Sequence, residues 1–218
     1  MPHSEKELVL STPRHQLKAV CDYGFARMDD VVTRRAEFFS LCKEGCPNFN
    51  KKWSCPPCSP DFSIFKRRSD EMLVVLFKLD LHQLDGTGYP GHHKVRLGNA
   101  VLKPRAERLM RGLERIVKGR YFSTGACRLC KPCQKKLGRR CRHPDRMRYS
   151  LEACGVDCDA LSRKVFGVPL QWYRDKRCPD YTSVICALPV PKGVDKAHLL
   201  CCVESELLAL TFRDQAAR

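Results

Sequence analysis

The stretch Glu71-Met-Leu-Val-Val-Leu-Phe-Lys-Leu-Asp-Leu81 is the most apolar in the chain, and its reading decides the fold class. From Met72 to Phe77 no polar residue interrupts it, so it predicts a central strand buried on both faces, with other elements packed above and below. Working outward, residues 104–118 repeat Ala106, Leu109, Met110, Leu113, Ile116 and Val117 at intervals of three and four. That period predicts a helix whose other face carries Arg105, Arg108, Arg111, Arg115 and Lys118. Residues 181–188 (YTSVICAL) predict a further strand and residues 204–212 a closing helix. Towards the start, residues 15–25 read as a short helix and residues 31–41 (VVTRRAEFFSL) as a strand. Ser59-Pro60 has the chemistry of a helix start, with Phe62 and Phe65 following on one face. Residues 80–93 read as a glycine-rich loop, 119–125 as a short strand or turn, and 150–166 as a helix broken at Gly155. Strands alternating with helices predict an α/β fold, a small mixed sheet flanked by helices. One domain is expected over residues 1–190, with cysteine-rich loops at 42–58 and 127–141 and a helical extension of the same domain over 191–218.

Composition narrows the function. The 218 residues hold 40 Lys and Arg against 24 Asp and Glu, a formal charge of +16, and 15 cysteines. No apolar run is longer than residues 72–77, which excludes a transmembrane helix. The opening residues MPHSEKELVL have neither a basic n-region nor an apolar h-region, so a cytoplasmic protein is expected. Repeats and low-complexity tracts are absent. Neither G-x-G-x-x-G nor a P-loop occurs, so a nucleotide site has no motif support.

The cysteines carry the chemistry. An odd number cannot pair fully within one chain, and a reducing compartment disfavours disulfides. They also bunch: Cys42, Cys46, Cys55 and Cys58 fall within 17 residues, and Cys127, Cys130, Cys133 and Cys141 within 15. Thiolates two residues apart converge on one point, which suits metal ligation. The second group, Cys127-Arg-Leu-Cys130-Lys-Pro-Cys133 followed by Cys141, has the pitch of three with which ferredoxins wrap a [4Fe–4S] cluster. Here seven residues precede the fourth cysteine, where ferredoxins have three, and Cys141-Arg-His-Pro144 replaces their Cys-Pro. Zinc, with His143 as substitute ligand, is the alternative. The first group, Cys42-x3-Cys46-x8-Cys55-Pro-Pro-Cys58, accommodates either a cubane or a tetrahedral zinc. A thioredoxin-like reading of Trp53-Ser-Cys55-Pro-Pro-Cys58 fails, because Asn48 to Lys52 is polar where that fold requires a buried strand.

The remaining cysteines read more plainly. Cys21, Cys186, Cys201 and Cys202 sit among apolar residues and are expected as small buried hydrophobes. Cys154 and Cys158 lie four apart on a helix, where core packing competes with a further metal hook. Cys178 has no assignment. His92-His93 is expected as a solvated pair.

These residues resemble a family. The run Cys42-x3-Cys46-Pro-Asn-Phe with Trp53-Ser-Cys55-Pro-Pro is similar to the amino-terminal hallmark of a large family of predicted metal-binding proteins of bacteria and archaea. The similarity continues through Gly125-x-Cys127-Arg-Leu-Cys130-x2-Cys133, Cys141-Arg-His-Pro144 and Arg148-x-Ser150-Leu-Glu152-Ala-Cys154-Gly155-Val-Asp157, over roughly residues 15–190. The resemblance implies metal binding of iron–sulfur type, chiefly in anaerobes, near corrinoid and methyl-transfer genes, with no settled reaction. It also implies three dependable cysteines in the first group, matching Cys42, Cys46 and Cys55, so that Cys58 is the least supported ligand. In the Ser150–Asp157 segment, Ser150 and Gly155 are expected to cap and end a helix. Glu152 and Asp157 are candidates to stand beside a cluster and tune it.

Charge and chemistry together leave three classes of function. Two four-thiolate sites, whether iron–sulfur or zinc, would each carry about −2, leaving the chain near +12. The basic residues crowd around the second group, from Arg128 to Arg148. They would offset cluster charge, or dock an acidic redox protein such as ferredoxin or flavodoxin, where steering raises on-rates by about 10–10³. Nucleic acid is disfavoured, because aromatic residues scarcely interleave with the basic run and no recognition motif occurs. Two [4Fe–4S] clusters serving intracellular electron transfer or low-potential reduction is the leading expectation. An enzyme would need an open iron or a pocket. A zinc-stapled binding module needs no redox activity.

Overall fold

The structure is a computed structural model that describes the backbone of residues 3–216 and the side chains of residues 3–211. Residues 1, 2, 217 and 218, the ends of the expected domain and extension, lie outside the described residues. Four strands, β1 (Ser4–Ser11), β2 (Gln16–Arg27), β3 (Glu71–Asp80) and β4 (Tyr181–Val190), form a sheet in the order β1-β2-β3-β4. The expected mixed sheet is antiparallel throughout. The reason lies in the connections. The 27-residue helix Gly91–Val117 starts beside Cys178, passes Leu81 and Thr182 at Gly98, and finishes where Gly119 meets Leu188 and Pro189. The chain must then cross the sheet a second time, through the second cysteine loop, before β4 begins. A parallel βαβ unit makes only one such crossing.

β3 is an inner strand, as its composition requires. Leu73, Val75, Phe77 and Leu79 point into one core, with residues of Gly91–Val117 and of a closing helix, Lys196–Ala216. Met72, Val74 and Leu76 point into the other, with Phe62, Phe122, Leu151, Cys154 and Cys158. This second layer carries the cysteine loops.

The helices are α1 (Arg35–Gly45), α2 (Ser63–Lys66), α3 (Gly91–Val117), α4 (Cys158–Phe166) and α5 (Lys196–Ala216). Two expectations are overturned. The segment expected as a short helix, 15–25, is β2: Leu17, Ala19, Cys21 and Tyr23 recur every second residue and are all buried in the first core. The segment expected as a strand, 31–41, is extended only at its start, where Thr33 bridges Val156. Beyond it Arg-Ala-Glu-Phe-Phe-Ser-Leu-Cys-Lys-Glu buries no residue and follows the helix propensity of its Ala, Glu, Leu and Lys. α3 begins thirteen residues before Pro104, because Val101 and Leu102 continue the buried stripe of Ala106 and Leu109. Gly98 lets this helix close on Thr182, whose side chain occupies the space a Cβ would need. His92 and His93 are exposed on its first turn, with ring centroids 4.4 Å apart. The helix expected over 150–166 is broken at Gly155 as read, with a single 3-10 turn at Glu152–Cys154 before α4.

Among the other cysteines, Cys21 and Cys186 are wholly buried and Cys154 and Cys158 pack in the second core. Cys201 is exposed on α5, contrary to the expectation of burial, while Cys202 is half-buried and packs against the first core. Cys178 is exposed, its sulfur 3.7 Å from the Gly91 carbonyl oxygen.

Candidate metal centre

The first cysteine loop starts inside α1. Cys42 occupies its last turn and Cys46 its C-cap, whose N–H bonds the Cys42 carbonyl at 3.2 Å, so the two thiols share a helix face. Phe39 and Phe49 stack edge-to-face at 5.4 Å and fold the chain back. The Asn50 N–H closes the loop on the Pro56 carbonyl at 2.8 Å. Turns then bring Cys55 inward, where it is buried, and set Cys58 one turn on, its N–H on the Cys55 carbonyl at 2.9 Å. Burial pushes the Cys55 thiol up, and the nearby Cys46 and Cys42 thiols push it further. The Cys42 thiol is raised by burial, then by Cys46 and by the carboxylate of Glu152. Cys42, Cys46 and Cys55 therefore share one electrostatic environment. Cys58 instead acts with Cys154 and Cys141 on Tyr149, whose phenol is pushed up chiefly by burial.

The second loop leaves the sheet at Phe122, which bridges Ala187, and at Ser123, which bridges Ser150. Cys127, Cys130, Cys133 and Cys141 line one small cavity with Trp53, Ser54, Leu129, His143 and Met147. The His143 N–H lies 3.4 Å from the Cys141 sulfur. Burial raises the Cys127 thiol, while the Leu129 N–H acts to lower it and Cys141 and Cys133 to raise it. Four thiols with backbone N–H groups aimed at two of them are a donor set that fits an iron–sulfur cluster. His143, the expected substitute ligand for zinc, lines the same cavity. Among the described residues no group of three or more His, Cys, Asp or Glu side chains is arranged to hold a single metal ion.

The two loops touch through three consecutive residues. Lys52 donates from Nζ to the Cys127 carbonyl oxygen at 2.8 Å, and Trp53 from Nε1 to the Arg139 carbonyl at 3.0 Å. Ser54 Oγ accepts the Cys127 N–H at 2.9 Å, and the Lys135 ammonium sits 4.7 Å above the Trp53 ring. Cys55 directly follows Ser54, so the two cysteine groups are neighbours. A second fastening comes from Arg35. Its guanidinium donates to the carbonyls of Ala153 at 2.5 Å, Ser59 at 2.7 Å and Pro60 at 3.3 Å. Sequence reading missed Arg35, Lys52 and Ser54 as positioning residues, since their partners lie far along the chain.

Residues 27–188 match the family described as Predicted metal-binding protein (DUF2284). The chain belongs to this family. The match spans both cysteine loops, α1 to α4 and β3, and leaves β1 and α5 outside. No curated protein and no solved structure matches the chain. Membership of the predicted metal-binding family accords with the metal chemistry read from the cysteines. Among the described residues, no helix is long and apolar enough to cross a membrane.

Of the family segment Ser150–Asp157, the roles separate. Ser150 Oγ accepts the Ala153 N–H at 3.2 Å and caps the 3-10 turn, and Gly155 ends it with φ +89°. Asp157 caps α4 by accepting the Ala160 N–H at 2.9 Å, and pairs with Arg34 at 3.0 Å. Glu152 is exposed, and its charge reaches Cys42, Cys154 and Cys158.

Proposed function

We propose that this member of the predicted metal-binding family holds two [4Fe–4S] clusters and serves electron transfer or low-potential reduction in the cytoplasm. Cys127, Cys130, Cys133 and Cys141 would hold one; Cys42, Cys46 and Cys55, with Cys58, would hold the other. The observation that supports the reading is that the four cysteines of the second loop all line one small cavity. When bound, such a cluster accepts and returns one electron at a time. The chain's own part is to set the conditions. N–H groups directed at the Cys127 and Cys141 sulfurs favour the added electron. Glu152, whose charge reaches Cys42, would oppose it. The Lys52–Ser54 contact supports transfer between the two groups, because it makes them neighbours. The exposed cations Lys131, Lys136, Arg139, Arg140 and Arg142 around the second loop supply a face for an acidic redox partner such as ferredoxin or flavodoxin.

The test is metal and sulfide content with a visible spectrum on protein purified without oxygen. About eight irons with matching sulfide per chain is the expected result. A colourless protein with one or two zincs overturns it, and the cysteine groups then act as staples of a binding module.

A further inference from the structure

A second cavity, of about 600 Å3, shares Cys127 and Leu129 with the cavity of the four thiols. Its volume lies within the roughly 300–1,000 Å3 of small-molecule sites. Three segments distant in sequence build it. Lys52 comes from the first cysteine loop, Lys103 and Arg111 from α3, and Arg128, Arg146 and Arg148 from the second loop. Glu107 is the single acidic residue in its wall, and it is fully engaged. It accepts the Tyr121 hydroxyl at 2.5 Å, the Thr124 N–H at 2.9 Å and the Thr124 hydroxyl at 3.2 Å. Arg148 is likewise bound, its Nε 2.5 Å from Glu114 Oε1. Lys52 is held by the Cys127 carbonyl.

Arg111 pairs with Glu107 at 3.7 Å, which leaves Lys103, Arg128 and Arg146, for which no side-chain hydrogen bond or ion pair forms among the described residues. Lys103 is half-buried, and its ammonium is pushed down first by burial and then by the like charge of Arg128. Arg128 and Arg146 are exposed, and Lys103 feels the carboxylates of Glu152 and Glu107 without bonding to them, so all three keep their donors free for an anion in the cavity they line. The anion they await is not the metal cluster. The thiol cavity is lined by Trp53, Ser54, Leu129, His143 and Met147 besides its cysteines, with no Lys or Arg among them.

We infer that this cavity binds a small molecule carrying two or more negative charges on phosphate or carboxylate groups, held by Lys103, Arg128 and Arg146. The site goes beyond the proposed electron transfer and does not depend on which metal the cysteines hold. It places an anionic ligand directly against Cys127.

The test is calorimetric titration of the metal-loaded protein at physiological ionic strength, with pyrophosphate and citrate as probes. One probe per chain is expected to bind, and the tighter of the two names the charged group. Lys103→Gln with Arg146→Gln is expected to weaken binding at least about tenfold, since a hydrogen bond to a charged group contributes roughly 1.5–3 kcal/mol. Arg67→Gln with Arg68→Gln removes the same charge from exposed residues at the end of α2, and is expected to leave affinity within about twofold. Failure of both probes to bind, or equal weakening by the two variant pairs, overturns the inference. Metal content measured on each sample keeps that failure separate from failure of the metal reading.

Discussion

Removal of the Arg35 guanidinium tests how the first cysteine group is assembled. Arg35 opens α1, the helix that delivers Cys42 and Cys46. Its two short bonds reach the Ser59 carbonyl, one residue past Cys58, and the Ala153 carbonyl, one residue before Cys154. Arg35→Ala cuts α1 loose from both. Hydrogen bonds to a charged group contribute roughly 1.5–3 kcal/mol each, so the two short ones amount to about 3 kcal/mol at the low end, which suits a half-exposed side chain. The bonds at 3.3 and 3.4 Å are counted as nothing. In a domain of this size each kcal/mol moves the melting temperature by about 2–4 °C, so a fall of about 6–12 °C is expected by calorimetry. The loss should also be directional. Combined with Cys130→Ser, Arg35→Ala reports on the first group alone, and its metal should fall. Combined with Cys46→Ser, it reports on the second, whose metal should hold. A melting point lowered by less than about 3 °C, or equal metal loss in the two backgrounds, refutes the reasoning.

Further expectations follow from the same contacts. Cys130→Ser should remove metal from the second group and leave the first, as metal content per chain will show; unchanged iron would remove Cys130 from the ligand set. Cys58→Ser should cost less metal than Cys55→Ser, because the Cys55 thiol feels Cys42 and Cys46 whereas the resemblance to the family supports Cys58 least. Ser54→Ala strands the Cys127 N–H, a cost of about 1–3 kcal/mol, and should lower the melting temperature without removing a thiol. Tyr23 is pushed up to about 12 by burial and then by the Glu204 carboxylate, 3.0 Å away. Its phenol stays neutral when folded while the unfolded chain ionises from pH 10, so stability is intact below pH 10 and lost as pH rises to about 12. Tyr23→Phe should flatten that part of the melting curve against pH, and an unaltered curve would count against it.

What could be read in the sequence was what sits close along the chain. β3 was legible because burial on both faces leaves an uninterrupted apolar run, and the candidate ligands because cysteine spacing is local. β2 was misread since Leu17, Ala19, Cys21 and Tyr23 alternate with residues that include apolar Val20 and the permissive Gly24, which blurs the period of two. The start of α3 was hidden by Pro104, which has the chemistry of a helix start but lies exposed in the interior. Ser54 and Cys127 are 73 residues apart, and Arg35 and Ala153 are 118 apart. No pattern along the chain announces such contacts. The antiparallel order was lost for the same reason, because a second crossing between β3 and β4 has no signature of its own.

The Ser150–Asp157 segment explains why two groups so far apart in sequence form one structure. On one side it closes the second loop, through the Ser123–Ser150 bridge and the Ser123 N–H on the Tyr149 carbonyl at 2.7 Å. On the other it closes the first, through the Arg34 N–H on the Gly155 carbonyl at 2.7 Å and the Asp157 N–H on the Val32 carbonyl at 2.9 Å. Between these edges it buries Leu151, Cys154 and Val156 beneath β3, the most apolar strand of the sheet. Gly155 permits the approach: its φ is +89°, and a Cβ there would lie 2.9 Å from the Arg35 Cα. The segment thus ties both cysteine loops to one rigid core, while Lys52 and Ser54 tie them to each other at the outer end. Two fastenings at opposite ends of the loops leave little freedom for one group to move against the other. On the proposed reading that fixed spacing is what electron transfer between two clusters requires.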